Sequence, residues 1–268
     1  MNDSAKSTPA HSCDVLVLGR GNAALCAANA AVDQGASVAM LEAAPEDEAG
    51  GNSRFAGGVM RFAYDGGEDL AKLCDLPEDE VRDTDWDSNT VNEFYDDLYR
   101  VTSYRSDPDL SEILITRSLD AMIWLRSQGV SFTPNYRHQS AVIDGKRRFF
   151  GRMPFWVVGG GAGLVADLTK TAESKGVRIF YQTRGVSLIT DDDGVCGVVA
   201  QTPNGQQRFE AKAVVLACGG FEANPEMRTR YLGPGWELAK VRGSRFNVGE
   251  GLEMALDIGA APFGNWSG

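Results

Sequence analysis

Histidine is almost missing from this chain: its 268 residues include two, His11 and His138. Neither stands at metal-ligand spacing from another His or Cys, which argues against a zinc site. The five cysteines, Cys13, Cys26, Cys74, Cys196 and Cys218, are scattered, odd in number and form no CxxC pair. A reducing compartment fits that pattern, and the expected location is cytoplasmic. No window approaches the roughly 18 apolar residues of a membrane span. Residues 1 to 13 lack an apolar segment and are expected to be a disordered leader rather than a signal peptide. Positive charge is also in short supply, with 26 Lys and Arg against 37 Asp and Glu and a net charge of −11. That balance disfavours nucleic acid and anionic membrane as partners. The 43% of hydrophobic residues is ample for a packed core.

What is present begins at Asp14. Asp14-Val15-Leu16-Val17-Leu18 is a short apolar run suited to a strand buried on both faces, and it ends in Gly19-Arg20-Gly21-Asn22-Ala23-Ala24, a GxGxxA turn. Gly19 permits the tight turn, Gly21 lets a pyrophosphate approach the backbone, and Ala24 lets the following helix pack closely on the strand. That helix runs from about Asn22 to Gln34 and stops at Gly35, so the amides and dipole at its start, including those of Asn22 and Ala23, face the phosphates. Ala36 to Leu41 forms a second strand. Glu42 stands 18 residues after Ala24, close to the roughly 20 expected for the acid that binds a ribose 2′-hydroxyl. Strand, turn, helix, cap and acid together specify FAD or NAD without choosing between them.

Residues 63 to 107 are rich in Asp, Glu, Tyr and Trp and read as a solvated face. Asn89 to Ser103 reads as a helix. A clearer helix opens at Asp107-Pro108, with Asp as N-cap and Pro at its first position, and stops at Gly129. The region from about 65 to 150 is therefore expected to be an all-helical insertion. Gly159-Gly160-Gly161-Ala162-Gly163 leads into a helix from about Leu164 to Lys175 and lacks the GK(S/T) ending of a P-loop. It reads equally as a tight entry to a packed helix. Arg152 and Trp156 read equally as active-site groups or as a surface Arg and a core Trp. Strands over Val177 to Tyr181, Val186 to Thr190, Val195 to Gln201 and Gln207 to Lys212 form an expected β-meander over about 177 to 212, with hairpin signals at Asp191-Asp192-Asp193-Gly194 and Pro203-Asn204-Gly205. Ala213 to Ala217 is a further buried strand ending in Cys218-Gly219-Gly220-Phe221. No second cysteine near Cys218 in sequence supports a redox pair.

Gly50-Gly51-Asn52-Ser53-Arg54-Phe55-Ala56-Gly57-Gly58 resembles the GGNS(K/R)xAxG stretch of the fumarate reductase and succinate dehydrogenase flavoprotein superfamily. Together with the Gly19 to Cys26 turn and Leu41 to Pro45, it most resembles the FAD-dependent tricarballylate dehydrogenases within that superfamily. The resemblance implies an α/β fold: a Rossmann-like FAD-binding domain over 14 to 268, with a parallel sheet, the helical insertion and the β-meander. It implies FAD, bound non-covalently since no histidine lies between His11 and His138. It places Gly51, Asn52, Ser53, Gly57 and Gly58 beside the FAD, the backbone at Val186 on the adenine, and Ala217 and Gly219 in an ATGGF-like return past the cofactor, with Cys218 in place of the usual Thr. Asn247-Val248-Gly249-Glu250-Gly251 resembles a TGDG segment whose acid lies near FAD, here Glu250. The GGGAG turn would then approach the flavin or the substrate cleft.

The implied chemistry is oxidation of a carboxylate substrate such as tricarballylate to an alkene, cis-aconitate, with electrons passed to an acceptor protein or a quinone-linked partner. Alternatives are a 3-ketosteroid-dehydrogenase-like or fumarate-reductase-like enzyme, or an inactive flavin-binding fragment. The chain stops where the superfamily passes into its mobile cap, so the capping domain is expected to be absent and the catalytic residues to lie beyond Gly268.

Overall fold

The computed structural model describes residues 11–264 and 266. The chain divides into two compact units, one of residues 1–55 and 168–268, the other of Ala56–Asp167. In chain order the first unit begins with β1 (His11–Leu18), α1 (Asn22–Asp33) and β2 (Val38–Leu41). The second holds α2 (Gly67–Ala71), α3 (Glu78–Asp83), α4 (Val91–Val101), α5 (Pro108–Thr116), α6 (Ser118–Ser127), β3 (Phe132–Pro134), β4 (Ser140–Ile143), β5 (Lys146–Phe149) and β6 (Phe155–Val157). α7 (Gly160–Ser174) runs across the division, and the first unit resumes with β7 (Arg178–Phe180), β8 (Arg184–Asp191), β9 (Gly194–Thr202), β10 (Gly205–Leu216), α8 (Pro225–Leu232) and α9 (Glu250–Asp257).

The first unit is built on one sheet of order β7-β2-β1-β10-β9-β8. β7, β2, β1 and β10 are parallel, and β9 and β8 continue antiparallel. The continuous apolar stretch of β1 follows from burial on both faces: Leu16 and Val17 point to opposite sides, and both are fully buried. Leu16 and Leu18 join Leu41, Val198, Phe209 and Met254 in one core. α1 buries Ala24, Leu25 and Ala28 completely. The small Ala24 and Ala28 let it lie close to the sheet. Its buried Asn29 donates from Nδ2 to the Leu25 and Leu168 carbonyls at 3.0 and 3.1 Å, fastening α1 to α7.

Three expectations about this unit change. Arg178–Phe180 pairs parallel with β2, so it belongs to the nucleotide-binding sheet and the meander is β8, β9 and β10. The two strands expected over Gln207 to Lys212 and Ala213 to Ala217 are one, because β10 runs unbroken from its antiparallel ladder with β9 into its parallel ladder with β1. β1 starts at His11, inside the expected leader; residues 1–10 lie outside the described residues.

The second unit is not all-helical. β3 pairs with β6, and β4 with β5. The β4–β5 turn is Asp144-Gly145, with φ of 51° and 76°; two positive values are the mark of the tight Asp-Gly hairpin turn, the signal that identifies this hairpin in the sequence. Trp86 stacks on Phe149 at 4.7 Å and on Phe155 at 6.2 Å, which joins the helices to both strand pairs. Helix starts are chemically marked. Asp107 caps α5 with Pro108 behind it, and Thr90 and Glu93 form a reciprocal capping box on α4.

The GGGAG turn is a tight helix entry. α7 begins at Gly160, four residues before Leu164. A Cβ on Gly163 would stand 1.9 Å from the Val158 carbonyl oxygen, and one on Gly58 would stand 2.6 Å from Gly160 Cα. Gly163 does not have a positive φ, so its requirement is purely steric. Gly163→Ala is therefore expected to lose about 1 to 3 kcal/mol of unfolding free energy, the range for forced overpacking. Gly57→Ala, with nothing within 4 Å of the added carbon, is expected to be near neutral. Urea midpoints of the two variants check this, and equal midpoints would refute the steric reading.

Candidate functional site

Parallel strands expose their carboxyl ends at one edge of the sheet, and the helix that follows each strand starts there too. At that edge β1, β2 and β10 end around a cleft of about 420 Å³. Gly19 leaves β1 with φ of +106°, and a Cβ there would stand 2.4 Å from the Ala217 carbonyl oxygen. Both the conformation and the space require glycine. Gly19 N–H donates to the Leu41 carbonyl at 2.7 Å, and Ala217 N–H to the Leu18 carbonyl at 3.0 Å, so the three strand ends are tied together.

Glu42 directly follows β2 and is 6% exposed. Its Oε1 accepts from Ala44 N–H at 2.8 Å. Burial pushes its pKa up, against the opposing pull of the Ala44 amide and the Arg20 charge. Such a carboxylate, on the cleft wall, is suited to receive neutral hydroxyl donors.

The Gly51-Asn52-Ser53 segment lies across the turn and is fastened on both sides. Ser53 Oγ accepts from Asn22 N–H at 2.9 Å, so one of the helix amides expected to face phosphate is engaged by Ser53. Asn52 Oδ1 accepts from Ser244 N–H at 2.9 Å. On the far wall Asn247 Nδ2 donates to Glu222 Oε2 at 3.3 Å. Glu250 opens α9 and lies 2.5 Å from Arg184 Nη1; burial raises its pKa while Arg184 lowers it. Cys218 is pushed up to about 12 by burial, with Glu250 and Glu42 adding to the effect. A thiol so hard to ionise is not a nucleophile.

Gly19, Gly21, Asn22, Ala23, Glu42, Gly51, Asn52, Ser53, Ala217, Gly219 and Glu250 all line the cleft. Val186, 39% exposed on β8, directly follows Gly185, which lines the cleft, and Gly57 and Gly58 belong to the second unit. Sequence reading missed Arg20, Thr183, Arg184, Glu222 and Ser244, which do line it. The signal for Thr183 and Arg184 was the parallel strand before them: Thr183 N–H donates to the Glu42 carbonyl at 2.8 Å, placing both at the same sheet edge. Arg152 is not a free cation, since it pairs with Glu93 and Asp97 at 3.0 and 3.1 Å. Among the described residues, no group of three His, Cys, Asp or Glu side chains is placed to hold a metal ion, and no helix is long and apolar enough to cross a membrane.

A glycine turn, a helix start and a buried terminal acid at one sheet edge fit an adenine dinucleotide. The family described as FAD binding domain matches residues 14–266. The chain belongs to that family. FAD is accordingly its cofactor. The chain is 30% identical to the fumarate reductase (cytochrome) of Shewanella frigidimarina over 257 residues, covering 95% of this chain and 41% of the relative. It is 30% identical to the urocanate reductase of Eggerthella lenta over 230 residues, covering 81% of this chain and 33% of the relative. The open conformation of a flavocytochrome c3 fumarate reductase superposes with a TM-score of 0.73 at 28% identity, covering 95% of this chain and 42% of that one. This chain thus spans about two fifths of the fumarate reductase it matches.

Two outcomes follow for Glu42. Glu42→Ala is expected to weaken FAD binding by about 1.5 to 3 kcal/mol, the range for hydrogen bonds to a charged group, and Glu42→Gln by less; fluorescence titration checks this, and an unchanged dissociation constant removes Glu42 from the site. The second concerns the chain without cofactor. A glutamate whose folded pKa is raised binds more protons folded than unfolded between the ordinary value, about 4.3, and the raised one, so stability falls as pH rises through that window. Glu42→Gln is therefore expected to be more stable than wild type at pH 7, with the gap closing as pH falls towards 4.3. Urea unfolding at several pH values measures the gap, and one independent of pH contradicts the assignment.

Proposed function

We propose that this chain is the FAD-binding portion of a flavoprotein oxidoreductase that acts on the carbon–carbon bond beside a carboxylate. The specific reaction carried by the sequence resemblance is tricarballylate to cis-aconitate. The observation that supports the reading best is the cleft itself, where the GxGxxA turn, Glu42, the Gly51 to Ser53 segment and the Ala217 to Gly219 return converge. Fumarate and urocanate, in the names of two relatives, are both unsaturated carboxylates, which supports the substrate class.

FAD when bound supplies the two-electron redox step. This chain's residues hold the cofactor: Glu42 receives the ribose hydroxyls, and the Gly19 to Ala23 turn takes the diphosphate against the start of α1. With FAD bound, the chain would hold a two-electron acceptor for a carboxylate substrate, and an acceptor protein or a quinone-linked partner would take the electrons on. The first unit's cleft is lined by no histidine for a substrate carboxylate, and of its two arginines Arg184 is paired with Glu250 while Arg20 stands at the Glu42 corner against the Tyr181 ring. We therefore assign the carboxylate clamp and the proton-transferring base to sequence outside these 268 residues, where a site closed to water would favour charge transfer.

The test is steady-state dye reduction with tricarballylate, comparing the 268-residue chain loaded with FAD with any longer form that carries a cap. No turnover is expected from the 268 residues and measurable turnover from the longer form. Comparable rates would place the catalytic groups within the present chain.

A further inference from the structure

The middle position of a GxGxxA turn makes no demand on its side chain, yet here it carries Arg20, which lines the cleft. Its guanidinium carbon lies 5.3 Å from the centroid of the Tyr181 ring. Its Nε is buried and has no hydrogen-bond partner, and the Tyr181 hydroxyl is buried and unpartnered as well. Among the described residues Arg20 also makes no ion pair within 4.0 Å. A buried guanidinium N–H without a partner costs free energy, so the place of Arg20 Nε needs a reason beyond the fold of the turn.

The surroundings supply one. Tyr181 follows β7, whose last residue, Phe180, accepts the Glu42 N–H at 2.9 Å. Arg20 and Tyr181 therefore flank the same corner as Glu42, the acid placed for the ribose. A guanidinium is planar and stacks on aromatic faces, and both of its faces can be used. With Tyr181 behind one face, the other is suited to a purine or its sugar. The neighbouring Glu42 charge keeps this corner from being a simple anion site, because a second negative group there would meet a carboxylate.

We propose that the Arg20 guanidinium, backed by the Tyr181 ring, is the wall on which the adenosine half of FAD lies, and that it sets the preference for an adenine dinucleotide over a flavin mononucleotide. Arg20 is thus a specificity residue for the cofactor and takes no part in substrate chemistry. The inference rests on FAD as the cofactor.

Dissociation constants for FAD, ADP and FMN, measured by flavin fluorescence and calorimetry on the FAD-free chain, test it. Arg20→Ala is expected to weaken FAD and ADP by tenfold or more and to leave FMN within twofold. Tyr181→Leu is expected to weaken FAD and ADP by about threefold to tenfold, whereas Tyr181→Phe, which keeps the ring and removes only an unpartnered hydroxyl, stays within twofold. Should Arg20→Ala fail to fold by circular dichroism, Arg20→Lys is read instead, with a loss of fivefold or more for FAD and ADP expected. FAD affinity unchanged in the folded arginine variant overturns the inference, and so does an equal loss for FAD and FMN, which would mean a general charge effect. A wild-type chain that binds no FAD would overturn the cofactor as well.

Discussion

The site depends on two parallel strands ending so close together that no side chain fits between them. Gly19 lies against the Ala217 carbonyl, and that contact brings the β1 turn and the β10 return to one sheet edge. Everything else in the cleft is hung from it. α1 can start where it does because Gly19 takes a left-handed conformation, and Glu42 reaches the wall because β2 is in register with β1 through Leu18 and Leu41. Losing the close approach would separate the acid from the helix start, and neither alone recognises a dinucleotide.

The cleft is electrostatically expensive. Two carboxylates, the buried Glu42 and the half-buried Glu250, stand there with raised pKa values, and each is opposed by an arginine. Burying charge is tolerated where hydrogen bonds and countercharges compensate. The compensation here is incomplete by design of the surface: Arg184 pairs with Glu250 directly, but Arg20 rests on a ring and leaves Nε unpartnered. Binding a ligand with hydroxyls and an aromatic base would settle that debt, which ties cofactor affinity to the stability of the FAD-free chain.

Local chemistry made much of this legible before any coordinates. The apolar β1, the GxGxxA turn and the Glu42 position each have a single mechanical purpose, so residue type revealed placement. The Asp-Pro start of α5 and the Asn-Gly turn before β10 were equally plain. Longer-range facts were not. Nothing in Arg178-Ile179-Phe180 says whether it pairs parallel with β2 or antiparallel with β8, and the three-residue strands β3 and β6 carry too few side chains for a period. The roles of Arg20, Thr183 and Arg184 come from the sheet edge they share with Glu42; the strand over Val177 to Tyr181 was legible, but that it runs parallel to β2 and so brings Thr183 and Arg184 to that edge is a fact of topology. Gly58 carries a packing demand of its own through its contact with Gly160, and such a demand looks the same in sequence as a ligand demand.

The central claim is that this sheet edge holds the adenosine diphosphate portion of FAD in one orientation. A crystal structure of the chain with FAD tests it most directly. The account predicts ribose oxygens within hydrogen-bond distance of the Glu42 carboxylate, roughly 2.5 to 3.0 Å for O–H···O contacts, and the diphosphate against the Gly19 to Ala23 turn. FAD bound elsewhere, or with its flavin end at Glu42, would contradict it.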